Sequence, residues 1–110
     1  MKYGNKKIET EDGCFDSLKE YKHWRELKLM ERAGLITQLS RQTKFELIPN
    51  QIEDGRVAER AVTYKADFTY YRDGNFVCED VKSRATKTRD YIIKRKLMRY
   101  VHGIKVKEIC

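Results

Sequence analysis

Long hydrophobic runs are missing from this chain of 110 residues. No apolar stretch approaches the roughly 18 residues that a membrane-spanning helix requires, so a helical membrane protein is excluded. No basic n-region, apolar h-region and cleavage site stand at the start, so secretion is not expected. Cysteine is scarce and odd in number: Cys14, Cys78 and Cys110 show no metal-ligand spacing. Reduced intracellular thiols are expected in place of a disulfide framework. There is one proline, Pro49, and no repeat, linker or low-complexity tract. One domain spanning 1–110 is expected, with 1–7 as a short basic arm.

Apolar residues make up 40% of the chain and aromatic residues 11%, spread along its whole length, which supplies a core and excludes pure disorder. The net charge is +7, and its placement says more than its size. From Lys82 to Lys107 there are ten basic residues against one acid, Asp90, whereas the preceding residues are nearly balanced. Such a surface attracts polyanions, nucleic acid before an anionic membrane. The plain alternative is a solvated helix face.

Ile8 to Phe15 reads as a small strand or hairpin about Asp12-Gly13. Leu18 to Ala33 lacks Pro and Gly and is rich in helix formers, with Ser17 as N-cap and Gly34 as the stop. Leu35–Leu39 and Thr43–Ile48 read as strands flanking Ser40-Arg41-Gln42, followed by a polar loop, Gln51–Arg56. Val57–Tyr71 reads as one long strand, with Val62, Tyr64, Ala66, Phe68 and Tyr70 on one side. Arg72-Asp73-Gly74-Asn75 is a hairpin turn and Phe76–Lys82 the returning strand. Residues 86–101 form a basic amphipathic helix, ended by Gly103, and Ile104–Ile109 closes the chain as a strand.

The chemistry lies in Glu20, Asp67, Asp80 and Lys82. Strand alternation puts Asp80 and Lys82 on one face and Val81 on the other. A turn at Asp73-Gly74 pairs residues whose numbers sum to about 147, which sets Asp67 opposite Asp80. Two facing carboxylates repel each other and call for a cation, Mg²⁺ before Ca²⁺. Metal-assisted phosphodiester hydrolysis fits, with Lys82 stabilising charge on the phosphate. Glu20 shares a helix face with Trp24 and Leu27 and completes the set if that face turns inward. The plain readings are a capping box with Ser17 for Glu20, and an exposed edge pair for Asp80 and Lys82. Glu79, opposite Asp80, is expected at the surface or in a supporting role. Gln42 is expected to order its loop or to reach phosphate. His23 and His102 are read as surface residues and Trp24 as core. Tyr70, Tyr71, Tyr91 and Tyr100 are read as edge-of-core tyrosines or as platforms for unpaired bases.

A helix-borne Glu, a strand Asp, a hairpin, D-x-K and a basic helix together resemble the PD-(D/E)XK nuclease superfamily. The chain also resembles, from end to end, a family of small bacteriophage and prophage proteins without assigned activity. That likeness runs through Lys2-Tyr3-Gly4-Asn5-Lys6-Lys7, Phe15-Asp16-Ser17 with Glu20, and Leu27 to Gly34. It continues through Arg41-Gln42, Phe45-Glu46-Leu47, Pro49, Tyr64-Lys65-Ala66-Asp67-Phe68 and Glu79-Asp80-Val81-Lys82. The superfamily implies an α/β fold, a restriction-endonuclease-like αβββαβ core with a central mixed sheet flanked by helices. It implies Mg²⁺-dependent hydrolysis of DNA, with Mn²⁺ as a substitute. Asp67 matches the first metal-binding Asp, Asp80 the (D/E), Lys82 the lysine and Glu20 the helix-one acid. Ala66 stands where the name-giving Pro would be, and Asp80 is one methylene shorter than the frequent Glu.

The expectation is a phage or prophage endodeoxyribonuclease of the host cytoplasm, nicking or Holliday junction resolvase-like, acting on duplex or branched DNA. Cutting two strands would call for a homodimer. Lys6, Lys7, Gln42, Arg84, Lys87, Arg89, Lys94, Arg95 and Arg99 are the expected nucleic-acid contacts. The rival expectation is a non-catalytic nucleic-acid-binding or partner-binding module on the same fold.

Overall fold

The computed structural model describes residues 7–110; Lys6 and the rest of the expected arm before Lys7 lie outside them. A small hairpin of β1 (Ile8–Thr10) and β2 (Gly13–Phe15) leads into α1 (Leu18–Arg32). Next come β3 (Thr37–Ile48), the short pair β4 (Gln51–Glu53) and β5 (Arg56–Glu59), then β6 (Val62–Arg72) and β7 (Asn75–Val81). A single 3₁₀ turn (Arg84–Thr86), α2 (Arg89–His102) and β8 (Lys107–Ile109) complete the chain. The central sheet has the order β3-β6-β7-β8. Its first three strands are antiparallel, and β8 is parallel to β7. The described residues thus form a mixed α/β fold of two helices, a four-stranded mixed sheet and two small hairpins.

Local chemistry explains most boundaries. The Ser17 hydroxyl accepts the Glu20 amide at the start of α1, and the Thr88 hydroxyl accepts the Tyr91 amide at the start of α2. Asp73 and Gly74 both have positive φ, 52° and 79°, as a two-residue type I′ hairpin requires. This turn fixes the β6–β7 register from Phe68↔Glu79 to Arg72↔Asn75, the spacing read from the sequence.

Several expectations are corrected. Ser40-Arg41-Gln42 does not separate two strands but lies inside β3. Gln38 and Gln42 adopt positive φ (54° and 57°), which bends the strand while Ser40 and Arg41 stay paired with Thr69 and Phe68. The polar loop Gln51–Arg56 is the hairpin β4–β5, because Asp54-Gly55 repeats the type I′ signature with φ of 51° and 75°. Val57–Tyr71 is interrupted between β5 and β6, and α2 begins at Arg89, three residues later than expected.

The side-chain alternation of β6 is also corrected. Tyr64 and Ala66 pack with Leu47, Cys78, Tyr91, Met98 and Val106 under α2. Phe68 and Tyr70 pack instead with Phe15, Leu27 and Ile36 under α1. All four have even numbers, so one strict alternation cannot serve both clusters. The slip occurs at Asp67, whose place opposite β3 is held by Gln42 with its positive φ. The sheet therefore separates two cores, and Asp67 stands where its faces exchange.

Glu108 on β8 ties α2 to the sheet. It accepts from Tyr91 Oη (2.8 Å) and Arg95 Nη1 (2.8 Å), and Lys87 Nζ lies 2.9 Å away. The Lys87 bond, followed by that of Arg95, holds its carboxyl down at about 2. A folded pKa below the unfolded value contributes stability above about 4.5 that fades as pH falls towards 2. Glu108→Gln is expected to lower Tm at pH 7 by about 2–5 °C, the scale of a solvent-screened ion pair in a domain this small. Urea melts at pH 7, 4 and 3 should show that deficit shrinking as pH falls.

Candidate metal and phosphodiester site

Backbone pairing between β6 and β7 extends only as far as Phe68↔Glu79. Beyond it the two aspartates take over. The Asp67 amide donates to Asp80 Oδ1 (2.8 Å), and the Val81 amide donates to Asp67 Oδ2 (2.9 Å). Each strand thus binds the other's carboxylate where a carbonyl would have been. Tyr64 Oη donates to the remaining Asp80 oxygen, Oδ2. Asp80 is only 2% exposed.

Glu20 joins from α1. Its face is buried with Leu27, and Glu20 is 3% exposed, with Oε2 lacking a hydrogen-bond partner among the described residues. The Ser17 amide donates no return bond to the Glu20 carboxylate, so the full capping box is not formed. Among the described residues the cation facing this carboxyl is Arg41, whose Nη2 lies 3.9 Å from Oε2. Arg41 itself is pinned: Nη2 donates to the Cys14 carbonyl (2.7 Å), and its guanidinium lies 3.8 Å from the Phe15 ring centroid. A Cβ at Gly13 would meet Arg41 Nη1 at 3.1 Å, so glycine leaves room for this arrangement.

Glu20 and Asp67, but not Asp80, open on one cavity of about 250 Å³, lined also by Lys7, Asp16, Ser17, Val81, Lys82 and Thr86. Lys82 crosses the Tyr91 face with Nζ 4.4 Å from the ring centroid. Glu20, Asp67 and Lys82 therefore reach one space, with Asp80 locked behind Asp67. The electrostatics follow from crowding. Burial, then the charges of Asp80 and Glu20, raise Asp67 to about 8. Burial raises Glu20 and Asp80 too; Arg41 opposes it at Glu20, and Tyr64, the Asp67 amide and Lys82 oppose it at Asp80.

The donor set suits a cation in kind but is not gathered into a ligand cluster. Among the described residues, no three His, Cys, Asp or Glu side chains are grouped so as to hold a metal ion. The chemistry is nevertheless apt: oxygen donors only, a buried carboxylate oxygen on Glu20 without a hydrogen-bond partner among the described residues, and negative charge that burial disfavours.

The other expected residues divide. Glu79 is buried on the opposite face, 2% exposed, bonded to His23 Nε2 (2.7 Å) and Tyr70 Oη (2.5 Å). It is thus a supporting group, and His23 is not a free surface histidine. Gln42 is exposed, its positive φ fitting the loop-ordering reading over a catalytic one. Lys7 lines the acid cavity, whereas Arg95 and Arg99 line a different one between α2 and β8. Lys94 pairs with Asp90 (3.4 Å), Lys87 with Glu108, and Arg84 and Arg89 are exposed. Tyr64 and Arg41 were not foreseen as site residues. Arg41 is hidden by the bends of β3, which conceal its pairing with Phe68; Tyr64 bonds diagonally to Asp80, three residues from the expected partner.

A carboxyl whose folded pKa is raised favours the native state when protonated, so its contribution falls as pH climbs from about 4 to 8. Asn at position 67 keeps an oxygen for the Val81 amide and removes the charge. Asp67→Asn is expected to raise Tm by about 5 °C or more at pH 9, with the gain vanishing near pH 4. Differential scanning fluorimetry across that range checks it.

No curated protein and no solved structure was found to match the chain. A family model described as a protein of unknown function, DUF1064, matches residues 1–109. The chain therefore belongs to the DUF1064 family.

Proposed function

We propose that this protein is a divalent-cation-dependent endodeoxyribonuclease of the PD-(D/E)XK kind, with a restriction-endonuclease-like core. The observation that carries the reading is the mutual carboxylate–amide lock of Asp67 and Asp80 at the parting of β6 and β7, beside Lys82. It delivers the D…D-x-K set to one end of the sheet, and Glu20 adds a third acid from α1.

Asp67 and Asp80 would hold Mg²⁺, with Glu20 completing the oxygen set. When bound, the cation supplies Lewis-acid activation of the phosphodiester and of an attacking water. The chain's own groups do the rest. Tyr64 and the Asp67 amide fix the Asp80 carboxylate in one orientation. Lys82 places positive charge at the cavity, where charge builds on the scissile phosphate. Arg41 counters the burial of Glu20 and favours its ionised, ligand-competent form. Lys7 stands at the same cavity and would steer a phosphate towards it. A nicking or junction-resolving enzyme of a phage or prophage fits one small site per chain, with a homodimer for paired cuts.

A second reading has its own support. The described acids are not grouped as a ready ligand set, which favours a module that binds nucleic acid without cutting it. Supercoiled plasmid and synthetic four-way junctions, incubated with Mg²⁺ or Mn²⁺, decide between them. Cleavage is expected, lost in Asp80→Ala and reduced roughly 100-fold or more in Lys82→Ala. Tight binding without cleavage in either metal overturns the enzyme and leaves the module.

A further inference from the structure

A cavity larger than that of the acids lies away from them. It is a groove of about 990 Å³ between α2 and β8, the edge strand of the sheet. Among the described residues it shares no lining residue with the acid cavity. Arg95, Lys96, Arg99 and Tyr100 form one wall, and the segment from Lys105 to Glu108 forms the other.

Its charge is largely uncommitted. Glu108, the one acid among the described lining residues, is already bonded by Tyr91, Arg95 and Lys87. Lys107 reaches only to 4.0 Å from the buried Glu79. Lys96, Arg99 and Lys105 have no acidic partner within 4.0 Å among the described residues. Among them stands Tyr100, 88% exposed, although tyrosines usually bury much of their ring. It stacks on no other aromatic ring among the described residues.

We propose that this groove is a second nucleic-acid site, one that holds an unpaired polynucleotide strand, with Tyr100 stacking on a base and Lys96, Arg99 and Lys105 on its phosphates. The combination selects the ligand. A duplex offers phosphates but keeps its base faces covered, so it would use the cations and leave the ring idle. An acidic peptide offers charge without a flat face. A single strand supplies both, and alternating cations with an aromatic platform is the physical pattern of single-strand grooves. The site stands without the nuclease reading: it needs neither the carboxylates nor a metal.

Fluorescence anisotropy in EDTA tests it, using labelled oligo(dT), its ribo counterpart and a hairpin duplex of equal phosphate number. The single strands are expected to bind more tightly than the duplex. Tyr100→Ala is expected to weaken strand binding roughly fivefold or more, with Tyr100→Phe restoring it. Such an exposed side chain can be removed without loss of fold, and circular dichroism verifies that. Arg99→Ala with Lys105→Ala should flatten the plot of log affinity against log salt by about 1.4, two phosphate contacts' worth. Binding is read in EDTA, where no cleavage is needed, and plasmid cleavage in Mg²⁺ is scored in a separate assay, so failure of cleavage and failure of this site are read separately. Equal affinity for duplex and strand, or no effect of Tyr100→Ala, overturns the proposal.

Discussion

Two hydrogen bonds at the end of one hairpin organise this molecule. Antiparallel neighbours normally continue their ladder until a strand ends. Here β6 and β7 stop exchanging carbonyls after Phe68 and Glu79, and each offers an amide to the other's aspartate. The exchange satisfies two backbone donors that would otherwise face a gap. It also forces two carboxylates into a space that burial makes unfavourable for both. The raised pKa values, the Tyr64 bond and the supporting position of Arg41 are responses to that crowding. Strongly shifted groups concentrate at functional sites, although structural networks shift them too, and the proposed function is therefore drawn from the geometry of this site together with its charge.

The sequence disclosed the parts governed by short-range rules. Ser17 and Gly34 bracketed α1, Gly103 ended α2, and Asp73-Gly74 dictated a register that put Asp67 and Asp80 at the same level. It concealed what depends on backbone irregularity. Gln38 and Gln42 look like ordinary strand residues, yet their positive φ bends β3 and, at Asp67, lets the even-numbered residues of β6 serve opposite cores. The same irregularity hides Arg41, because its distance from Glu20 depends on a pairing that alternation does not give. The basic segment was visible only as a total. Folding divides it between bonds to Glu108, a pair with Asp90, and a groove whose far wall is β8.

Support for the acid site comes from both layers. Under α1, Glu79 binds His23 and Tyr70, one residue before Asp80 and on the other side of the sheet. The Glu79 carboxyl is held below its ordinary value by His23 and Tyr70 despite burial, and His23 is raised in turn. One strand therefore presents neighbouring acids of opposite character: Glu79 kept charged by donors from the helix, and Asp80 pressed towards its neutral form.

The outlying ribbon of β4 and β5 behaves differently from all of this. Every residue from Gln51 to Arg60 is exposed, including Ile52 and Val57, and no layer covers either side. It helps to stretch the molecule to 51 Å, with a radius of gyration of 15.9 Å where about 13 Å suits a sphere-like chain of this size. Apart from its own ladder, it is fastened by the bond from the Ala61 amide to Asn50 Oδ1. Its amides can therefore open to solvent without disturbing either core, so they belong among the fast-exchanging hydrogens of the protein. The acid pocket is set off from that breathing by the β3–β6 pairs from Ile48↔Val62 to Thr43↔Ala66, about half the length of that hairpin.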